Sequence, residues 1–170
     1  LKNILEHEGI EFHVGCTMLS ATAEDAVKKI EIEYGDGRKV EVVGSDILVA
    51  AGRRVNVDGL ALEKAGVDFG PEGIAVDQRL RTSSKNIFAA GDVVGGYQFT
   101  HAAGYEGGIV VSNSIFHLPR NADYTFLPWC TNSDPELASI GMKEKRAREA
   151  GNKYSVFTEA FRENDRSLAE

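Results

Sequence analysis

A chain of 170 residues with 42% hydrophobic and 26% charged residues has the composition of a soluble globular protein, one good domain or two small ones. Its formal net charge of −7 argues against a general nucleic-acid binder, which needs a basic face. No apolar run approaches the ~20 residues that span a bilayer, so no membrane segment is expected. No signal peptide is visible. Cys16 and Cys130 lie too far apart for a short metal or redox motif, and read as reduced residues of a cytoplasmic protein.

In chain order, Leu1, Ile4 and Leu5 mark the end of a helix closed by Gly9. Ile10, Phe12 and Val14 alternate with Glu11 and His13, a strand pattern. Ile30, Ile32 and Tyr34 alternate in the same way, and Gly35-Asp36-Gly37 turns the chain back into Val40 and Val42. Asp46 to Ala51 reads as a buried strand ending at Gly52, so an antiparallel meander leads into one buried strand. Leu60, Leu62 and Ala65 predict a short helix capped by Gly66, Pro71-Glu72-Gly73 a turn, and Ile74 and Val76 a short strand. Ile87 to Ala90 is an apolar run expected of a strand buried on both faces.

Gly91 and Asp92 break that run, and Thr100 or His101 opens a helix through Phe116. Leu118 to Asp123 reads as a linker between domains. Beyond it, Leu127–Thr131 and Leu137–Ile140 are strand-like, Met142 to Ala150 is a charged helix closed by Gly151, and Tyr154, Val156 and Thr158 alternate as a strand. The chain opens inside a helical pattern and stops at Ser167–Glu170 without a terminator, which reads as a piece of a longer protein.

A strand, then an acid, then a helix N-terminus is a place where a polar ligand can be held. Asp92 can accept hydrogen bonds from ligand hydroxyls, or it is a turn former bonding nearby N–H groups. Gly104, Gly107 and Gly108 each weaken the helix by roughly 1 kcal/mol against alanine. Either a ligand approaches that backbone or the helix packs tightly on a sheet. Gly52 leaves a strand end bare for a flat ring or a sugar, or merely ends the strand, and Arg53 and Arg54 either meet phosphate or face solvent. His7, His13, His101 and His117 share no ligand spacing, so no metal site is expected. No catalytic triad or carboxylate pair can be argued, and no catalytic residue is assigned.

These residues resemble the flavoprotein pyridine nucleotide-disulfide oxidoreductase family in three places. Leu48-Val49-Ala50-Ala51-Gly52-Arg53-Arg54-Val55-Asn56 is similar to an A-T-G-R-x-P-N segment, with Ala51 for Thr and Val55 for Pro. Thr82 through Asp92 resembles the second flavin motif, a Thr followed by an apolar strand ending in G-D. Asp134-Pro135-Glu136-Leu137-Ala138-Ser139-Ile140-Gly141 resembles the D-P-E-x-A-x-x-G that opens the C-terminal interface domain. The flavour is that of the mercuric reductase and dihydrolipoamide dehydrogenase branches. Leu127-Pro128-Trp129-Cys130-Thr131 and the run Glu163 to Glu170 lean towards the former.

The resemblance implies an α/β fold: parts of FAD/NAD(P)-binding Rossmann-type domains with an antiparallel β-meander, followed by the start of an α+β dimerisation domain. Residues 1–57 would be the C-terminal part of the NAD(P) domain, 58–122 that of the FAD domain, and 123–170 the incomplete N-terminal part of the dimer-interface domain. It implies that Gly91 and Asp92 meet the ribityl chain of FAD. Gln98, Phe99, Thr100, His101 and Ala102 would run past the flavin's pyrimidine edge, Gly52 would lie near the nicotinamide nucleotide, and Met18 near its adenosine part. It implies a homodimer that passes hydride from NAD(P)H through FAD to a disulfide, then to a small redox acceptor such as mercuric ion or a lipoamide-type disulfide. The ADP-binding G-x-G-x-x-G, the C-x-x-x-x-C and the His-Glu pair of that family are not in this sequence. The chain alone is therefore expected neither to hold FAD tightly nor to turn over. The alternative is an inactive ligand-binding or interaction module that keeps the flavin-facing scaffold.

Overall fold

The computed structural model describes residues 1–163, and the end of the Glu163–Glu170 motif lies outside them. The elements are α1 (Lys2–His7), β1 (Cys16–Glu24), β2 (Val27–Tyr34), β3 (Lys39–Gly44), β4 (Phe69–Gly70), β5 (Gly73–Ile74), α2 (Thr100–Ser114), β6 (Trp129–Thr131), β7 (Leu137–Ser139) and α3 (Glu144–Glu149). Single 3-10 turns stand at Leu62–Ala65, Gly91–Val94 and Phe161–Glu163.

The strands β1, β2 and β3 form the expected antiparallel meander in that order. Its first strand is displaced from the position the sequence pattern suggests. The alternation at Ile10, Phe12 and Val14 forms no strand, and Cys16–Glu24 pairs with β2 instead, from Cys16↔Tyr34 to Glu24↔Val27. The reason is that a strand is secured by ladder hydrogen bonds to a neighbour, and β2 offers its edge to β1. The small residues of Cys-Thr-Met-Leu-Ser-Ala-Thr-Ala-Glu show little contrast between faces, so pattern alone overlooks them. Ile30 opposite Val42 and Ile32 opposite Val40 put the apolar residues on one face of the β2–β3 pair. The Gly35–Arg38 turn closes through Tyr34 N–H to Arg38 O at 2.9 Å, with Gly37 at φ 82°.

Three further expected strands are absent. Asp46 to Ala51 is irregular, with Leu48 92% and Val49 79% exposed. No strand among the described residues pairs with it, and an apolar run without a ladder partner has nothing to be buried against. Ile87–Ala90 is reduced to a single antiparallel bridge, Arg81 with Phe88, for the same want of a partner on its other edge. The alternating run at Tyr154, Val156 and Thr158 is also irregular, and Tyr154 instead donates its hydroxyl to Glu144 on α3 at 3.2 Å.

The core lies between residues 57 and 113. Leu62, Val67, Ile74 and Ala89 pack with Val57, Val76, Ile87, Val93 and Val94. The β4–β5 hairpin turns at Pro71-Glu72 and lays its tip against the Gly91–Val94 turn. Two glycines make that approach fit. A Cβ on Gly73 would stand 2.5 Å from Val93 O, and one on Gly95 would run into Glu72 O. Both have positive φ, 119° and 73°, which side chains rarely adopt.

Helix α2 buries Ala102, Glu106, Ile109 and Asn113, spaced 4, 3 and 4 as one helical face requires. Asn113 Nδ2 donates to Arg79 O at 3.0 Å and to Arg120 O at 2.9 Å, and its Oδ1 accepts the Arg120 N–H at 2.9 Å. Ala122 N–H donates to Gln78 O at 2.7 Å, so the stretch read as a linker is strapped to the same unit. The helix stops where His117 takes φ 53° and Leu118 N–H turns back to Ser112 O at 3.0 Å.

Gly95→Ala is expected to destabilise the chain by ~2 kcal/mol, because backbone must move to admit the methyl group. Asn113→Ala is expected to cost a similar ~2 kcal/mol by removing three part-buried hydrogen bonds to backbone. Urea denaturation midpoints check both. Midpoints equal to that of the unaltered chain would contradict the assigned packing.

Candidate functional site

The Gly91–Val94 turn follows an extended Ala90 and places Gly91, at φ 78°, against α2. A Cβ there would sit 3.1 Å from the Ala103 methyl group. Asp92 is thus presented beside the helix's N-terminal end, with its side chain 53% exposed. Its Oδ2 accepts from Arg53 Nη1 at 3.2 Å, and the same Nη1 donates to Gln98 O at 3.0 Å. Arg53 therefore bridges the Gly52 segment to both ends of the loop before α2. The sequence leaves Arg53 between phosphate and solvent. Here it is exposed and paired to Asp92, an arrangement worth little in stability but able to orient the carboxylate.

Phe99 caps α2 without a side-chain hydrogen bond. The first-turn N–H groups of the helix therefore keep their partial positive charge available to an anion or an electron-rich ring edge. His101 Nε2 donates to Pro128 O at 2.7 Å, since a carbonyl can only accept. The imidazole also stacks on Phe99, with centroids 5.4 Å apart and planes 10° from parallel. Ala102 is fully buried. Gly52 has φ 106° and open space around it. Together Gly52, Arg53, Gly96, Tyr97, Gln98, Phe99 and Trp129 line a cleft of ≈ 580 Å³. A second cleft of ≈ 660 Å³ lies between His101 and Pro128, Trp129, Cys130, Ala138, Ser139 and Ile140.

The structure thus brings Gly52, Asp92, Gln98, Phe99, Thr100 and His101 to one end of α2. Met18 is not among them: it stands on β1, 64% exposed, and lines neither cleft. A Cβ added at Gly104, Gly107 or Gly108 would meet nothing within 4 Å beyond the helix itself, so the described residues do not pack on these glycines. Cys130 is exposed, and local desolvation with the Glu136 carboxylate pushes its thiol pKa up, away from a reactive thiolate. Among the described residues no group of three or more His, Cys, Asp or Glu could hold a metal ion.

Two residues that pattern reading misses are central here. Glu106, only 2% exposed, accepts the Gly91 N–H at 2.6 Å and the Tyr124 hydroxyl at 2.7 Å. Burial and the Glu106 carboxylate raise the Tyr124 pKa, so it remains a phenol that donates. One signal is available in the sequence: Glu106 shares the 4-3-4 spacing of Ala102, Ile109 and Asn113, a face that must turn inward.

The family described as pyridine nucleotide-disulphide oxidoreductase matches residues 1–107, and the dimerisation domain of the same group matches residues 127–170. The chain belongs to the pyridine nucleotide-disulphide oxidoreductase family. It is 37% identical to a mercuric reductase of Staphylococcus aureus over 91% of this chain and 28% of that protein. It is 35% identical to a dihydrolipoyl dehydrogenase of Bacillus subtilis over 96% of this chain and 35% of that protein. Among solved structures, LpdA from Mycobacterium tuberculosis superimposes with a TM-score of 0.83 at 24% identity, covering 98% of this chain and 36% of that one. The HOCl-induced flavoprotein disulfide reductase RclA from Escherichia coli gives 0.75 at 27% identity, covering 88% and 34%. The chain spans about a third of the length of these relatives. The fold class is as expected: α/β, with parts of Rossmann-type nucleotide-binding domains, an antiparallel meander and the start of an α+β dimerisation domain.

Gly104→Ala is expected to stabilise this chain by about 1 kcal/mol, because the site is an open, exposed helix interior. Thermal or urea unfolding checks it. A loss of stability would mean that the helix backbone is approached by some part of this chain.

Proposed function

We propose that this chain is a segment of an FAD-dependent disulfide oxidoreductase. In the complete protein, reducing equivalents would pass from NAD(P)H to FAD, then to a disulfide and on to a small acceptor. The observation that carries this is the exposed Asp92 carboxylate beside the uncapped N-terminus of a 15-residue helix, oriented by Arg53. A carboxylate accepts from sugar-type hydroxyls, and a helix N-terminus favours negative charge on a neighbouring ring. This donor and acceptor set fits half of a flavin site.

Bound FAD would supply two-electron redox chemistry. Gly91 would allow close approach of the backbone, and Asp92 would hold the ribityl hydroxyls. Gln98, Phe99, Thr100, His101 and Ala102 would lie along the pyrimidine edge, with the first-turn N–H groups of α2 stabilising charge there. Gly52 would leave room for the nicotinamide nucleotide, and Met18 would border its adenosine part. The divisions at 1–57, 58–122 and 123–170 would then be the NAD(P), FAD and dimer-interface portions. The dimerisation-domain match over residues 127–170 supports a homodimer, and the curated relatives support mercuric ion or a lipoamide-type disulfide as the acceptor. A cysteine pair near the C-terminus of the complete protein would favour mercuric ion.

The complete protein is expected to purify with about one FAD per subunit and to oxidise NAD(P)H with one of these acceptors. Asp92→Ala is expected to weaken FAD binding by about tenfold or more, the scale of one charge-assisted hydrogen bond. Flavin absorbance after gel filtration checks both. Full FAD retention by the Asp92→Ala protein would refute the role given to Asp92.

A further inference from the structure

Glu106 has no place in the flavin contacts above, yet it is a buried ionisable side chain at 2% exposure. Both carboxylate oxygens are used. Oε2 accepts the Gly91 N–H at 2.6 Å, and Oε1 accepts the Tyr124 hydroxyl at 2.7 Å. Among the described residues no lysine, arginine or histidine forms an ion pair with it. Burying a carboxylate without a counter-ion is costly, and an apolar side chain would fill the same face of α2. What it supplies, and hydrocarbon cannot, is two directional hydrogen-bond acceptors.

The surroundings show what these acceptors hold. The Gly91 N–H belongs to the Ala90–Gly91 peptide, so its bond to Glu106 anchors the backbone one residue ahead of the Asp92 carboxylate. Tyr124 also lies against the Tyr97 ring, with centroids 5.3 Å apart, and Tyr97 precedes Gln98. The loop from Gly91 to Phe99 is therefore pinned near both ends by one Glu106–Tyr124 pair. Tyr124 itself is seated by its neighbour: the Asp123 N–H donates to the Tyr105 hydroxyl at 2.8 Å. The Asp123 carboxylate, held below its usual pKa by Thr125, closes the next turn through the Thr125 hydroxyl at 2.6 Å.

We infer that Glu106 is a positioning residue for the flavin half-site, linking the Gly91–Asp92 loop to the start of the dimerisation segment through Tyr124. This rests on the reading of Asp92 as a flavin contact. The test is the rate of FAD release from the complete protein, followed by recovery of free-flavin fluorescence. Glu106→Leu is expected to speed release by about tenfold, and Tyr124→Phe by about threefold. Glu106→Gln is expected to stay near the wild-type rate. Its amide oxygen still accepts from Gly91, and its NH₂ can donate to the Tyr124 hydroxyl.

Wild-type release by Glu106→Leu, or release by Glu106→Gln as fast as by Glu106→Leu, would overturn the inference. If Glu106→Leu does not fold, Tyr124→Phe decides, and a wild-type rate there overturns it. Asp92→Ala measured alongside separates the two levels. If Asp92→Ala releases FAD quickly while the Glu106→Leu and Tyr124→Phe rates stay normal, only this inference fails. If Asp92→Ala keeps FAD like the wild type, the half-site reading fails and takes the inference with it.

Discussion

Helix α2 is held in place by two polar side chains on its buried face, and the candidate site depends on them. Asn113 makes three hydrogen bonds, to Arg79 and Arg120. Glu106 makes two, to Gly91 and Tyr124. Between them lies Ile109, 1% exposed, and before them Ala102, which has no exposed surface. Apolar packing alone would hold the helix near its neighbours but would leave it free to slide. Directional bonds to backbone on both sides define where its N-terminus points, and that end faces the cleft.

The surrounding loops are shaped to meet this helix closely. Positive-φ glycines at 73, 91 and 95 let the β4–β5 hairpin, the Asp92 turn and the first turn of α2 come together without side chains intervening. Arg53 then reaches in from the Gly52 segment to hold Asp92 and the Gln98 carbonyl. The result is a carboxylate, a bare helix end and an aromatic pair, Phe99 with His101, on one rim. That arrangement suits a ligand that is part polyol and part flat ring.

Much of this is legible in the sequence, and the failures turn on which segments find a ladder partner. The meander's second and third strands, the Gly66 cap, the β4–β5 turn and the span of α2 follow from local pattern and turn chemistry. Ile87–Ala90 and Asp46–Ala51 read as buried strands because their side chains are apolar on both faces. Burial, however, belongs to the partner as much as to the strand. In a chain spanning about a third of its relatives, these runs find no sheet to join among the described residues. The alternation at residues 10–14 fails for the opposite reason: Cys16–Glu24 has weak contrast but a good ladder partner in β2. Asp92 stands out from its place between an apolar run and a helix start. Glu106 does not, because pattern reading sends acids to the solvent face, and only its hydrogen-bond partners reveal why it turns inward.

If the Gly91–Asp92 turn and the α2 N-terminus form one half of a flavin site, a crystal structure of the complete protein with FAD tests it most directly. The Asp92 carboxylate should stand ~2.7 Å from a ribityl hydroxyl, the distance of a short O–H···O bond, with the flavin ring edge over the first turn of α2. A flavin bound elsewhere, with Asp92 still engaged only by Arg53, would contradict it.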